Sequence, residues 1–202
     1  MGAIAEAHWL VVGLGNPSPE YVRTRHNVGF AVVDQLAGAT RVRFEPGRYR
    51  TERARSDLSG IPILFLKPQT TMNLSGPPVA AWLQTLGLPA ARLVVIHDDL
   101  DLPLGRLRVS ARAGPGGHRG VASIQTALGT QAFPRVRVGI GRPREGQEAV
   151  DRVLEAFAPE ELPLVGVVID RAAEAVRTLI ADGLPSAMNR YNVRVPAGGA
   201  PA

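Results

Sequence analysis

The stretch "LVVIHDDLDLP", Leu93–Pro103, joins four apolar residues to one histidine and three aspartates within the next five positions. Leu93–Ile96 has the uniformly apolar, partly β-branched character of a strand buried on both faces, as at the centre of a parallel sheet. In open α/β sheets, ligand clefts form beyond the carboxyl ends of the strands. Asp98, the first acid past the run, is therefore expected at the rim of a cleft. Asp99 and Asp101 are expected to shape the turn around "DLP".

Similar runs lie on both sides. "WLVVGL", Trp9–Leu14, reads as a buried strand ending in the turn "GNPSPE", and "GIPILFLKP", Gly60–Pro68, as another. "RVRVGIG", from Arg135, is a further strand. Arg48–Leu58 and "GRLRVSAR", Gly105–Arg112, alternate in polarity, as exposed strands do. Helical spacing marks Val28–Leu36 with Asn27 as its N-cap, Leu74–Leu86 with Pro77 and Pro78 in its first turns, and Val121–Leu128. Glu160–Ala181 is the longest helix, and Pro185–Tyr191 adds one short turn. This alternation predicts an α/β fold: a single-domain, three-layer α/β/α globule around a twisted, mostly parallel mixed central sheet. The domain is expected over residues 1–194, with a disordered tail at 195–202.

The 202 residues suit one domain, and 45% hydrophobic with 20% charged is an ordinary globular balance. No apolar run approaches the roughly 18 residues of a membrane span. The start "MGAIAEAH" lacks the basic region of a signal peptide, so a cytoplasmic location is expected. The absence of cysteine excludes disulfides, thiolate metal sites and a cysteine nucleophile. A net charge of +5 favours polyanions, nucleic acid first; a merely solvated basic surface is the plain alternative.

Several familiar signatures fail. "GLGNP", Gly13–Pro17, lacks the third glycine of a dinucleotide fingerprint. No phosphate-binding loop ending in Gly-Lys-Ser/Thr is present, and no GxSxG elbow.

What remains is a histidine beside an acid. His26, in "TRHNVGF", precedes a helix, and by itself would be a packing or helix-entry residue. If the strands carrying Asn16 and Asp98 are parallel neighbours, both residues share one rim. Asp98 bonded to one imidazole nitrogen of His26 would leave the other free to deprotonate water. "HDDLD" has no metal-ligand spacing, and no metal is expected. Asn73, in "TTMNLSG", either caps a helix or faces the cleft. "AGPGGHRG", Ala113–Gly120, would expose backbone N–H groups at a helix start. Arg106 and Arg108 share strand parity, as do Arg135 and Arg137, so each pair faces one side; such a face suits phosphates.

"VVGLGNP", "YVRTRHNVGF", "LKPQTTMNLSG", "HDDLDLP", "GGHRG" and "RVRVGIGRP" occur in this order. Together they closely resemble bacterial-type peptidyl-tRNA hydrolase, from about Trp9 to Tyr191. The resemblance implies hydrolysis of the ester joining a peptide to the 3′ ribose of tRNA, recycling tRNA from aborted translation. It implies His26 as general base, Asp98 as its support, and Asn16 as the catalytic-site residue that recognises the blocked peptide end. Tyr21, Thr71, Met72, Asn73, Gly117 and Arg119 fall at substrate contacts, and Arg108, Arg112 and Arg137 on the phosphate-binding face. It further implies a monomer with no cofactor, no membrane and no obligate protein partner, binding peptidyl-tRNA through the acceptor stem and 3′ end.

Two positions depart from the family pattern. Arg119 stands where asparagine is usual, keeping donors but losing an acceptor. Ser110 stands where a basic residue is common, and Arg108 or Arg112 would compensate. An RNA-binding module without catalysis is the first rival reading. A metal-guided maturation protease with a similar first turn is the second, but "TRHN" and "MNLSG" do not belong to it.

Overall fold

The computed structural model describes residues 7–193; the tail at 195–202 lies outside them. Seven strands form one sheet: β1 (Trp9–Gly13), β2 (Glu45–Gly47), β3 (Thr51–Leu58), β4 (Ile61–Pro68), β5 (Leu93–Asp99), β6 (Leu107–Ser110) and β7 (Arg135–Gly139). Their order is β2-β3-β4-β1-β5-β7-β6. β4, β1, β5 and β7 are parallel neighbours, while β2-β3, β3-β4 and β6-β7 pair antiparallel. Five strands thus point one way, and only β3 and β6 run against them.

Among the described residues, six α-helices flank the sheet: α1 (Val28–Ala39), α2 (Gly76–Leu86), α3 (Arg119–Leu128), α4 (Ala149–Leu154), α5 (Leu162–Asp182) and α6 (Leu184–Tyr191). Strand residues alternate between faces, and the core divides accordingly. Val11, Val94 and Ile96 pack with Val32, Leu36, Val168 and Val176 of α1 and α5. Leu10, Val12 and Val95 pack with Val79, Trp82, Val121 and Ile124 of α2 and α3. The expected three-layer α/β/α sandwich is present. Among the described residues no helix is long and apolar enough to cross a membrane.

Three sequence expectations change. The central strand does not stop at Ile96; it continues through His97 and Asp98 to Asp99, paired with Arg137, Val138 and Gly139 of β7. Asn27 sits at the start of α1, but its side chain caps nothing there. Leu74 belongs to a 3-10 turn, Met72–Leu74, and α2 begins at Gly76. The short β2 and α4 had no periodic signal and were not anticipated.

Two close approaches bring α1 to the sheet rim. A Cβ on Gly13 would lie 2.3 Å from the Gly29 carbonyl oxygen, and one on Gly29 would lie 2.5 Å from the oxygens of Ile96 and Leu14. The first turn of α1 therefore rests directly on the ends of β1 and β5. At the outer edge, Asn192 accepts from the Val109 N–H at 2.7 Å and donates to the Val109 carbonyl at 2.9 Å.

Gly13→Ala should lower unfolding free energy by about 1–3 kcal/mol or more, since backbone cannot retreat as a side chain can. Gly166→Ala, exposed within α5 with nothing near its Cβ position, should raise it by about 0.5–1 kcal/mol. Urea unfolding of both variants measures the contrast.

Candidate active site

Because β1 and β5 are parallel neighbours, the loop after β1 and the end of β5 meet at one rim. A cleft of about 370 Å³ opens there. Asn16, Tyr21, His26, Thr71, Met72, Asn73, Asp98, Gly117 and Arg119 all line it. They come from four separated stretches of the chain: 16–26, 71–73, 98 and 117–119. Arg108, Arg112 and Arg137 do not line it.

Asp98 is the centre of the arrangement. Its side chain is only 2% exposed, and Oδ1 accepts from His26 Nδ1 at 2.8 Å and from His118 Nε2 at 2.9 Å. Burial alone would push its carboxyl up. His118 and His26, through charge and hydrogen bonds, outweigh burial and hold it far below the usual carboxylate range.

The hydrogen bonds also fix the tautomers. His118 Nδ1 accepts from the backbone N–H groups of Gly120 and Val121, at 3.2 Å each, so it caps α3. The proton of a neutral His118 is then on Nε2, donated to Asp98. His26 donates through Nδ1, which leaves its Nε2 as the free acceptor. His97 donates through Nδ1 to the Asp98 backbone carbonyl at 2.7 Å. Burial first, and then the neighbouring His118, hold the His97 imidazole well below the ordinary histidine range, so it is neutral. Its ring lies 4.8 Å from that of His118, which lies 5.0 Å from that of His26.

His26, Asp98 and His118 bring donor atoms within 4.8 Å of one another, close enough for a metal ion. The tautomers oppose this use. His118 Nε2 carries a proton while Nδ1 serves the helix, and both imidazole N–H groups are spent on one carboxylate oxygen. The trio fits a proton-holding relay better than an open ligand set.

Asn16 is held from two sides. Its backbone N–H donates to Asn27 Oδ1 at 2.8 Å, and its carbonyl accepts from Asn27 Nδ2 at 2.9 Å. This is the work that Asn27 does instead of capping α1. The Met72 N–H donates to Asn16 Oδ1 at 3.1 Å, so the Asn16 amide N–H groups are the ones left for the cleft. Asn73 does not cap α2, whose N-cap position is Ser75; it is exposed and faces the cleft.

The opposite wall is apolar: Leu100 with Val150, Val153 and Leu154 of α4. This six-residue helix is tied to the turn that carries His26. Buried Arg25 donates to both carboxylate oxygens of Glu161 and sits over the Phe157 ring, and its N–H donates to the Glu155 carbonyl at 3.0 Å. Arg152 donates to Glu155 Oε2 at 2.8 Å and to the Ile140 carbonyl at 3.0 Å.

The basic face is less uniform than strand parity suggested. Arg108 and Arg137 are cross-strand partners on one face of the β6-β7 pair. Arg108 and Arg112 are exposed. Arg137, however, is paired with Asp99, whose other oxygen accepts the Asp101 N–H at 2.9 Å. Asp99 therefore shapes the turn, as expected, and also neutralises an arginine. Arg135 is buried and donates to the Ala113 and Gly114 carbonyls, so it supports the glycine-rich loop. Burial, then Arg137 beside it, pull its guanidinium down to about 10, still charged at neutral pH. Arg106 donates to the Val193 carbonyl.

His118 had no assigned role in the sequence, and Asn27 was expected only as a helix cap. Their signal was positional: each stands immediately before a helix, where a side chain can turn back to neighbouring backbone.

A model of the family described as peptidyl-tRNA hydrolase matches residues 10–198. A peptidyl-tRNA hydrolase of Chloroflexus aggregans is 48% identical over 185 residues, covering 91% of this chain and 98% of that protein. One from Frankia casuarinae is 46% identical, covering 91% and 93%. The crystal structure of peptidyl-tRNA hydrolase from Acinetobacter baumannii superposes with a TM-score of 0.88 at 33% identity, covering 96% of this chain and all of that one. With sequence likeness and fold agreeing over nearly its whole length, this chain belongs to the peptidyl-tRNA hydrolase family.

Proposed function

We propose that this enzyme hydrolyses the ester between a peptide, or an N-blocked aminoacyl group, and the 3′ ribose of tRNA, with His26 as general base oriented by Asp98. The observation that carries this reading is the 2.8 Å bond from His26 Nδ1 to Asp98, which leaves Nε2 free in the cleft. His26 Nε2 takes a proton from water as the hydroxide oxygen attacks the ester carbonyl. Asp98 stabilises the imidazolium that forms, and His118 keeps Asp98 in place. N–H donors of Asn73 and of the loop at Gly117 are suited to the developing oxyanion. Collapse of the tetrahedral intermediate breaks the bond to the ribose oxygen, which takes the proton back from His26. No step requires a metal.

Asn16 presents amide N–H donors because Met72 occupies its oxygen. Such donors match the carbonyl of a blocked peptide end. A free α-ammonium offers only donors and finds no acceptor there, which is how the site would reject aminoacyl-tRNA. Tyr21, Thr71 and Met72 complete the substrate wall. Arg108 and Arg112, exposed on one side of the molecule, meet acceptor-stem phosphates, with Arg137 contributing what charge Asp99 leaves it. The chain acts on its substrate as a monomer.

His26→Ala and Asp98→Asn should each lower kcat/KM on N-blocked aminoacyl-tRNA by about 10²–10⁴-fold, with wild-type activity unchanged by EDTA. Wild-type activity that persists in His26→Ala, or that EDTA abolishes, would sink the reading. Arg108→Ala and Arg112→Ala should each weaken tRNA binding and reduce the slope of log affinity against log salt by about 1. The pH dependence follows from the depressed Asp98 carboxyl. The stability it contributes is present above the ordinary aspartate range, about pH 4, and is lost only as pH falls through its much lower folded value. Asp98 thus keeps its charge wherever imidazoles titrate. Asp98 should add no ionisation of its own to the acid limb of kcat/KM between about pH 4 and 6.

A further inference from the structure

Four arginines lie between positions 106 and 119. Arg106 donates to a backbone carbonyl. Among the described residues, the side chains of Arg108, Arg112 and Arg119 have no hydrogen-bond or ion-pair partner. Arg119 differs from the other two by position: it is exposed on the cleft wall, at the first residue of α3. A cation there faces the positive end of the helix dipole, the unfavourable end for it, and no carboxylate relieves it. Its backbone neighbours in the first turn are already engaged by His118.

Arg119 is also the one permanent cation among the cleft-lining residues. The acids beside it are answered elsewhere, Asp98 by two histidines and Asp99 by Arg137. An anion entering the cleft therefore meets a single unspent positive group. The glycine-rich loop at 113–117 connects that group to Arg112 and the exposed basic face. In the substrate of the proposed reaction, on which this inference rests, the reacting ester and the last backbone phosphate are carried by the same ribose. With the ester at His26, that phosphate must lie in the cleft or at its mouth.

We propose that Arg119 grips the phosphodiester immediately 5′ of the terminal ribose and so positions the ester against His26. Guanidinium matches phosphate by paired N–H donors. As a permanently protonated group it takes no part in proton transfer; its role is positioning.

The test uses N-acetyl-phenylalanyl-tRNA, whose acyl part has no carboxylate, with either a natural phosphodiester or a neutral methylphosphonate at the 3′-terminal internucleotide linkage. Wild-type kcat/KM should fall about tenfold or more when that linkage is neutral, as expected for loss of a charge-assisted hydrogen bond. Arg119→Gln should cleave the two tRNAs at rates within about twofold of each other, and Arg119→Lys should recover part of the discrimination. A wild type indifferent to the neutral linkage overturns the proposal, as does an Arg119→Gln variant that loses as much as the wild type does. A wild type that releases acyl group from neither tRNA overturns the hydrolase reading itself, a result distinct from both.

Discussion

One carboxylate oxygen, Asp98 Oδ1, accepts from two imidazoles that arrive from opposite layers of the sandwich. A buried charge is costly unless its lone pairs are answered. Here the answer comes from α1's side through His26 and from α3's side through His118. The rest of the rim serves that meeting. β5 runs three residues past its apolar stretch to carry Asp98 outward. Gly13 and Gly29 let the start of α1 lie against the strand ends. His118 holds its ring with the same nitrogen that caps α3, so the position of the helix and the tautomer of the histidine are one constraint.

The layered sheet was legible because strands buried on both faces need unbroken apolar runs, and β1, Ile61–Leu66 of β4 and Leu93–Ile96 of β5 supply them. The meeting of Asn16, His26 and Asp98 was legible too, from the rule that polar residues after parallel strands share a rim. What the sequence concealed was the direction of polar side chains. Asp98 and Asp99 look like loop residues because charge at a strand end resembles charge in a turn; only the ladder to β7 distinguishes them. Asn27 has the right chemistry for a cap, but a neighbouring loop competes for the same amide and wins. Arg135 and Arg137 have the parity expected of an exposed basic face, yet parity says nothing of what packs above it. There, loop carbonyls and Asp99 take up both charges. The six residues of α4 are too few to show a period.

The cleft has two unlike walls. The polar wall is built on the core, through strand ends and helix starts. The apolar wall rests on α4, too short to persist in isolation, and depends on the arginine–glutamate ties to the His26 turn. A substrate with a polar ester and a variable peptide suits such a division. Under the proposed reaction, the groups that meet the ester sit on a strand end, turns and helix starts, and the apolar surface left for a varied peptide sits on a small helix.

The pairing of Asn192 with Val109 has a consequence outside catalysis. An outer strand normally offers free N–H and C=O groups to any extended chain, which is how sheets recruit one another into aggregates. β6 is only four residues long, and a side-chain amide already fills both backbone groups of Val109. The segment just after the last helix thus works as a stopper on the sheet. Its loss would convert a closed edge into a template for strand addition, beside the face on which tRNA is proposed to bind.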